Sequence, residues 1–128
     1  MTERKDKILR GLICGGEVSI AVAETTQLVN EAIRIHGLSA LSAAALGRTL
    51  TVAAYMCSSL KEDNGALSVS VKGDGVGGSI YVSGDKALHM RGYIENPHAE
   101  LAPNALGKLD VGGCVGKNGT LTVVRDDG

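Results

Sequence analysis

The spacing of apolar residues changes once along the chain, at the polar segment 61–65, and this change restricts the fold more than any other feature. Before it, apolar residues recur every three or four positions over residues 39–60, which is the period of a helix with one buried face. After it, apolar and polar residues alternate, which is typical of strands. Because helices precede the strands instead of alternating with them, the sequence predicts an α+β fold in which an antiparallel sheet packs against helices. The helical stripe consists of Leu46, Leu50, Ala53, Cys57 and Leu60.

Residues 1–60 form the half that we predict to be mainly helical. Residues 6–13 carry a short amphipathic pattern, and residues 18–22 alternate as a strand with one buried face. Thr25 stands where it can cap a following helix, and Gly37 stands where it can end that helix. Gly47 lies in the middle of the 39–60 helix, where glycine costs about 1 kcal/mol relative to alanine, so we expect it to allow close contact with another backbone.

Residues 61–128 are predicted to form an antiparallel meander, with strands at 67–72, 80–83, 87–94 and 121–125. Between the first two strands, Gly73, Gly75 and Gly78 match the GxGxxG spacing that lets a backbone approach a pyrophosphate. A nucleotide site of that kind needs a helix after the glycines, because the helix N-terminus binds the phosphates. A second strand follows here instead, so we interpret residues 73–78 as a hairpin connection.

Composition excludes several classes of function. The 13 basic and 14 acidic side chains give a formal charge of −1, which argues against nucleic acid or an anionic membrane as a partner. Three tyrosines are the only aromatic residues, so stacking platforms for bases are almost excluded. The apolar segment 38–60 is interrupted by Arg48, and we therefore expect no transmembrane helix. The length suits a single domain, residues 1–128.

The cysteines and histidines do not form a recognisable site. Three cysteines lie far apart without CxC or CxxC spacing, and this scattered set indicates a reducing compartment and small buried hydrophobic residues. The three histidines are not spaced with one another or with the cysteines as a zinc site requires. We therefore predict no catalytic, cofactor-binding or metal-binding residue. The residues concerned are Cys14, Cys57, Cys114, His36, His89 and His98.

An ordered series of short motifs nevertheless resembles one known family. The series covers nearly the whole chain, and although each motif is weak alone, their order and spacing together are specific. It resembles the heat-shock protein 33 family of 33 kDa chaperonins. The motifs are ETTQLV at 24–29, HGLS at 36–39, AALGR at 44–48, LK at 60–61, KGDG at 72–75, MRGYIENP at 90–97, GKLDV at 107–111 and VGKNGTLTV at 115–123.

The resemblance implies a cytoplasmic, ATP-independent holdase that binds unfolding proteins under oxidative stress and forms a homodimer. Members of the family carry a separate C-terminal zinc domain with CxC and CxxC motifs, whose oxidation releases the metal and unfolds a switch region. None of the three cysteines here matches those motifs. We therefore expect residues 1–128 to represent the N-terminal core of such a protein without the zinc domain, with no cofactor and with an unassigned client-binding surface.

Two other classes of function remain open from the residues alone. A constitutive interaction or dimerisation module would need only exposed sheet or helix faces. A small enzyme would need a polar cluster in the β half, and its candidates are Arg91, Asp74 and His89. A contiguous apolar patch favours the chaperone or the interaction module, whereas a pocket of ionisable groups favours the enzyme.

Overall fold

The computed structural model describes residues 5–128 and has the predicted α+β architecture. Two antiparallel sheets and three helices make up this part of the chain. A short 3₁₀ turn at Cys14–Gly16 joins the first two strands. The elements are β1 (Lys7–Ile13), β2 (Val18–Glu24), α1 (Thr26–His36), α2 (Ala40–Ser58), β3 (Ala66–Gly73), β4 (Ile80–Asp85), β5 (Arg91–Ile94), α3 (Val111–Val115) and β6 (Gly119–Asp126).

The larger sheet has the strand order β5-β4-β3-β6, so the predicted meander is wrong for its last strand. Strands β3, β4 and β5 do follow one another as a meander. The chain then returns to the opposite side of β3, where β6 pairs antiparallel along its full length, from Ala66 opposite Asp126 to Gly73 opposite Gly119. Among the strands of residues 5–128, β6 therefore lies at one edge of this sheet and β5 at the other.

The core lies between α2 and one face of the larger sheet. Leu46, Leu50 and Cys57 of α2 are almost fully buried, in agreement with the predicted stripe. They pack against the inward residues of the sheet, and burial of each large aliphatic side chain contributes about 1.5–3 kcal/mol. The sheet residues in this core are Leu67, Val69, Ile80, Val82 and Ile94.

Helix α2 is long and apolar enough to cross a membrane when judged by length and composition alone. Half of it is buried inside the fold, against the sheet and α1. It is the core helix of this domain.

Two predicted helix ends are confirmed and one predicted cap is wrong. Ser39 begins α2 and accepts the Ser42 N–H, and Gly37 ends α1 with a φ of 62°. Thr25 occupies the N-cap position of α1 but makes no capping hydrogen bond. Its hydroxyl lies 2.7 Å from the Thr51 hydroxyl instead, because α1 packs directly on α2.

Gly47 permits a close approach, although not to a backbone. A β-carbon at this position would lie 3.0 Å from Cγ1 of Val29, a side chain of α1. The glycine therefore sets how closely α1 and α2 pack.

Three further predictions differ from the structure. Residues 6–13 do not add to a helical half, since β1 pairs along its whole length with β2. The predicted strand 87–94 begins only at Arg91, because a turn precedes it in which Leu88 has a φ of 67° and Asp85 accepts the His89 N–H. The glycine-rich helix α3 was not predicted, and Asp110 caps it by accepting the Gly113 N–H at 3.0 Å.

Candidate binding surface

The β1–β2 hairpin presents an uncovered apolar face. Side chains directly opposite each other in an antiparallel pair share a face, and Leu9 pairs with Val22 while Ile13 pairs with Val18. Ile20 lies between them, opposite Gly11. All five apolar side chains are between 44% and 60% exposed. We call this set, Leu9, Ile13, Val18, Ile20 and Val22, the hairpin face.

The hairpin is attached to the body of the fold through its other face. The Arg10 guanidinium lies 5.4 Å from the centre of the Tyr55 ring and donates hydrogen bonds to the hydroxyls of Ser58 and Ser59 at the end of α2. Cation–π contacts of this kind contribute about 0.5–1 kcal/mol at exposed sites. Because Arg10 holds the opposite face against α2, the hairpin face points away from the body.

The exposure of the hairpin face corrects the prediction that residues 18–22 have one buried face. The alternation of Val18, Ile20 and Val22 correctly indicated a strand, but it could not indicate what covers the apolar side. Residues 6–13 carried a signal for the other strand of this hairpin. Leu9 and Ile13 are an even number of positions apart, so in a strand they lie on one face, as the apolar residues of β2 do. Two apolar-faced strands joined by a short glycine turn are typical of a hairpin.

A second apolar surface is a groove of about 610 Å³ between α1 and the larger sheet. Its apolar lining includes Leu28, Ala32 and Ile35 of α1, and Glu31 and Arg91 also contribute. Nε2 of His36 lies 2.9 Å from the Gly92 carbonyl oxygen, which fastens the end of α1 to the edge strand β5. The groove is therefore a fixed feature of the packing between α1 and the sheet.

The three candidate residues for an enzyme do not form one cluster. Asp74 follows β3 at the end where β4 begins, whereas His89 lies beyond the opposite end of β4. The six residues of β4 separate these ends by about 20 Å. Arg91 is exposed on β5, opposite Ser83.

His89 and Asp74 each have a structural partner. Nδ1 and the backbone N–H of His89 both lie 3.0 Å from carboxylate oxygens of Asp85, and these hydrogen bonds, the backbone one first, lower the pKa of Asp85. Asp74 accepts hydrogen bonds from the Asn118 side-chain amide and from the backbone N–H groups of Asn118 and Lys117, at 3.1–3.3 Å. The pKa of Asp74 is lowered chiefly by the Asn118 amide. This carboxylate ties the β3–β4 connection to the start of β6.

The GxGxxG segment is confirmed as a hairpin connection between β3 and β4. Its glycines allow the loop to pass close to α3: a β-carbon on Gly73 would lie 2.0 Å from the Val115 carbonyl oxygen, and one on Gly75 would lie 2.3 Å from the Cys114 carbonyl oxygen. The Gly77 N–H in turn donates to the Cys114 carbonyl at 2.8 Å. The glycines are therefore explained by packing.

The cysteines of residues 5–128 are not gathered into a metal site, and the family resemblance places the zinc in a separate C-terminal domain. Cys57 and Cys114 are buried in different parts of the core, and burial is the main cause that raises the pKa of each thiol. Cys14 is exposed at the hairpin tip, which corrects the prediction that all three cysteines are buried. Within residues 5–128, no three His, Cys, Asp or Glu side chains are grouped so that they could hold a metal ion.

Comparison with known proteins gives a consistent result. The family model described as Hsp33 protein matches residues 6–128. A 33 kDa chaperonin of Clostridium botulinum is 44% identical over 124 residues, which are 97% of this chain and 42% of that protein. A 33 kDa chaperonin of Clostridium acetobutylicum is 42% identical over 123 residues, which are 96% of this chain and 41% of that protein.

The fold agrees with the sequence matches. The crystal structure of a 33 kDa chaperonin, a heat shock protein 33 homologue from Thermotoga maritima, superposes with a TM-score of 0.85 at 34% identity. The superposition covers 93% of this chain and 40% of that structure. The chain thus spans less than half the length of the relatives that it matches.

Proposed function

We propose that this chain, which belongs to the Hsp33 protein family, acts as a chaperone that holds unfolding polypeptides without using ATP. The matched relatives are named chaperonins, and chaperonin is not the name of an enzyme activity. The proposal assigns no catalytic residue and no cofactor to residues 5–128. The glycine-rich segment is a hairpin connection and gives no support to a nucleotide site.

One observation carries the proposal, and it is the exposure of the hairpin face. Unfolding proteins differ from folded ones by the apolar side chains that they expose, so a general holdase needs an accessible apolar surface. Five aliphatic side chains on one face of the hairpin provide this surface without any specific polar contact that would select a single partner. We assign client binding to this face.

The test is light scattering by a thermally aggregating client protein, measured with increasing amounts of the chain. We expect Val22→Lys to weaken the suppression of aggregation, because it places a charge on the hairpin face, beside Leu9. The matched control is Val52→Lys, since Val52 of α2 is 59% exposed and Val22 is 60% exposed. Equal suppression by both variants and the unchanged chain would remove the hairpin face from the proposal.

The groove beside α1 can be tested in the same assay. Ile35 lines it and is exposed, so Ile35→Lys alters the groove without disturbing the core. We expect a smaller loss than for Val22→Lys, because α1 and the larger sheet enclose the groove on two sides whereas the hairpin face is uncovered.

The remaining properties implied by the family are part of the same proposal. We place the chain in the cytoplasm, as a homodimer, with unfolded or aggregation-prone proteins as its partners and without nucleic acid or membrane as a partner. Redox control of the family type requires zinc-bound thiolates, and the cysteines of this chain offer no such group among the described residues. We therefore propose that client binding by this chain does not depend on oxidation.

The alternative is a constitutive interaction module without holdase activity. The same hairpin face would serve that function, so the aggregation assay distinguishes the two. A chain that stays folded, self-associates and leaves the scattering of several unrelated clients unchanged would favour the module.

A further inference from the structure

The dipeptide Asn-Gly occurs twice in the chain, as Asn64 before Gly65 and as Asn118 before Gly119. Asparagine side chains are hydrolysed most readily in this dipeptide, because glycine has no β-carbon to shield its backbone nitrogen. We propose that Asn64 is a site of spontaneous deamidation, and that the carboxylate of Asp74 protects Asn118 from the same reaction. This proposal does not depend on the proposed function.

The reaction needs water and no other partner. The backbone nitrogen of the glycine attacks Cγ of the asparagine, loses its proton to solvent and displaces the side-chain nitrogen as ammonia. The product is a five-membered succinimide ring, which water opens at either carbonyl to give aspartate or isoaspartate. One amide and one water thus become one carboxylate and one ammonium ion, and the chain gains one negative charge. This chemistry is one reason why asparagine is a thermolabile residue.

Hydrogen bonding, and not exposure, distinguishes the two asparagines, since both are exposed. Asn64 lies in the turn between α2 and β3, and its side chain forms no hydrogen bond with any residue of 5–128. The N–H of Gly65 donates to the Glu62 carbonyl at 3.0 Å, within the same turn. Attack by the Gly65 nitrogen on Asn64 therefore has to break this one local bond.

The Asn118 side chain, by contrast, is held by Asp74. Nδ2 of Asn118 donates to one oxygen of the carboxylate at 3.1 Å, and the backbone N–H of Asn118 donates to the other oxygen at 3.3 Å. The Lys117 N–H also donates to that second oxygen, at 3.1 Å. One carboxylate thus binds the side-chain amide and the backbone N–H of the same residue, which keeps the amide on the N-terminal side of Asn118. Ring closure needs the amide on the other side, against the nitrogen of Gly119.

The backbone that follows Asn118 is also fixed. Gly119 is the first residue of β6 and stands opposite Gly73 of β3. A β-carbon on Gly119 would lie 2.2 Å from the Lys72 carbonyl oxygen, so the two backbones approach closely here. The succinimide ring includes the Gly119 nitrogen and imposes its own backbone angle at Asn118, which this packing opposes. At the other site, Gly65 lies outside the ladder, because β3 begins at Ala66.

The new charge would have different consequences at the two sites. At Asn118 it would stand within hydrogen-bond distance of Asp74, where the two carboxylates would repel each other. Asp74 would also lose the donor that chiefly lowers its pKa. At Asn64 the charge would lie in an exposed turn, where water and salt screen it. The tie between the β3–β4 connection and β6 therefore lasts only while Asn118 remains an amide.

Peptide mapping of the whole chain tests the proposal. The folded chain is kept at mildly alkaline pH, samples are digested with trypsin, and deamidated peptides are recognised by their mass and retention. Cleavage after Lys61 and Lys117 places the two asparagines in separate peptides, 62–72 and 118–125. The same incubation in urea gives the reference rate of each dipeptide without the fold.

We expect Asn64 to deamidate at least about tenfold faster than Asn118 in the folded chain, because ring closure at Asn118 must break hydrogen bonds to a charged group. In urea the two rates should agree within about threefold, since these hydrogen bonds are absent from the unfolded chain. Equal rates in the folded chain, or a faster rate at Asn118, would overturn the proposal.

Variants of Asp74 test the protection itself. Asp74→Ala should raise the rate at Asn118 about tenfold and leave the rate at Asn64 unchanged. Asp74→Asn keeps the shape of the side chain without its charge and should give an intermediate rate, and it replaces Asp74→Ala if circular dichroism shows that the alanine variant does not fold. The matched control, Asn64→Gln, should abolish the product in peptide 62–72 alone. An unchanged rate at Asn118 in a folded Asp74 variant would overturn the protective role of Asp74.

Discussion

The carboxylate of Asp6 accepts the backbone N–H of Leu28 at 2.8 Å, across 22 positions of the chain. Its other oxygen accepts the Gln27 N–H at 2.9 Å. These two N–H groups belong to the first turn of α1, where the helix itself provides no acceptor. A residue that precedes β1 thus caps a helix that follows β2, and this bond joins the base of the hairpin to the helical layer.

We predict that Asp6→Ala lowers the free energy of unfolding by about 0.5–2 kcal/mol, the usual effect of losing an N-terminal cap. Urea denaturation followed by circular dichroism measures it. The control is Asp63→Ala. The Asp63 side chain is fully exposed, and its ion pair with Lys86 is long, at 3.7 Å, so its loss should change stability little. If both variants change stability equally, the cap contributes nothing beyond surface charge.

Ser42 provides a second long-range contact, inside the core. Its hydroxyl donates to the Asn96 carbonyl at 2.8 Å and accepts the Ala99 N–H at 3.1 Å, and Ser42 itself is completely buried. We expect Ser42→Ala to cost about 1–3 kcal/mol, because the buried Ala99 N–H and the part-buried Asn96 carbonyl both lose their partner. Ser68→Ala on the exposed side of β3 is the control and should change stability by less than about 0.5 kcal/mol. A neutral Ser42→Ala would contradict this interpretation.

Asp74 should make stability depend on pH in the acid range. Hydrogen bonds from Asn118 and Lys117 hold the pKa of Asp74 below its ordinary value of 3.8 in the folded state. The unfolded chain therefore binds a proton at a higher pH than the folded chain does. The stabilisation is complete well above pH 3.8 and decreases as the pH falls through the lowered pKa. Asp74→Asn should be less stable at pH 7 and should lose less stability between pH 7 and acid pH than the unchanged chain.

The measurement is urea denaturation of both proteins at several pH values. The pKa of Asp85 is also lowered, chiefly because its carboxylate accepts the His89 backbone N–H. Asp85 is present in both proteins, so its contribution to the pH dependence cancels in the comparison. Parallel stability curves for the two proteins would show that Asp74 does not titrate differently in the folded and unfolded states.

We predict that the purified chain holds no stoichiometric zinc. Tight zinc sites use four ligands at tetrahedral geometry, and the three cysteines lie apart, two of them in the core. Elemental analysis after dialysis against metal-free buffer measures the content. A value of about one zinc per chain would contradict the prediction and the structural role given to the cysteines.

We predict that peroxide does not switch on holdase activity. Burial raises the pKa of Cys57 and Cys114, so both stay as unreactive thiols, and only Cys14 is accessible among the three. Client aggregation should therefore be suppressed equally by reduced and oxidised chain, and equally by Cys14→Ser. Suppression that appears only after oxidation and disappears with reductant would refute this.

Local signals were sufficient for most of the elements. The stripe of α2, the caps at Ser39 and Gly37 and the alternation of β2, β3 and β4 all depend on residues within one or two turns or within one strand. Recognition of the family also came from the sequence, because it depends on the order of short motifs. For these features the interaction that determines the structure is local in the chain.

Long-range contacts determined the rest. Residues 6–13 have apolar positions compatible with a helix or a strand, and pairing with β2 selects the strand. The place of β6 beside β3 depends on pairing between residues about 50 positions apart. Asp6 replaces Thr25 as the cap of α1, because the Thr25 hydroxyl is hydrogen-bonded to the Thr51 hydroxyl instead. The hairpin face could not be predicted as exposed, since apolar alternation is the same whether or not another layer covers it. Sequence thus determined most of the elements and the family, whereas the tertiary structure decided which apolar faces remain open for binding, because coverage depends on residues far apart in the chain.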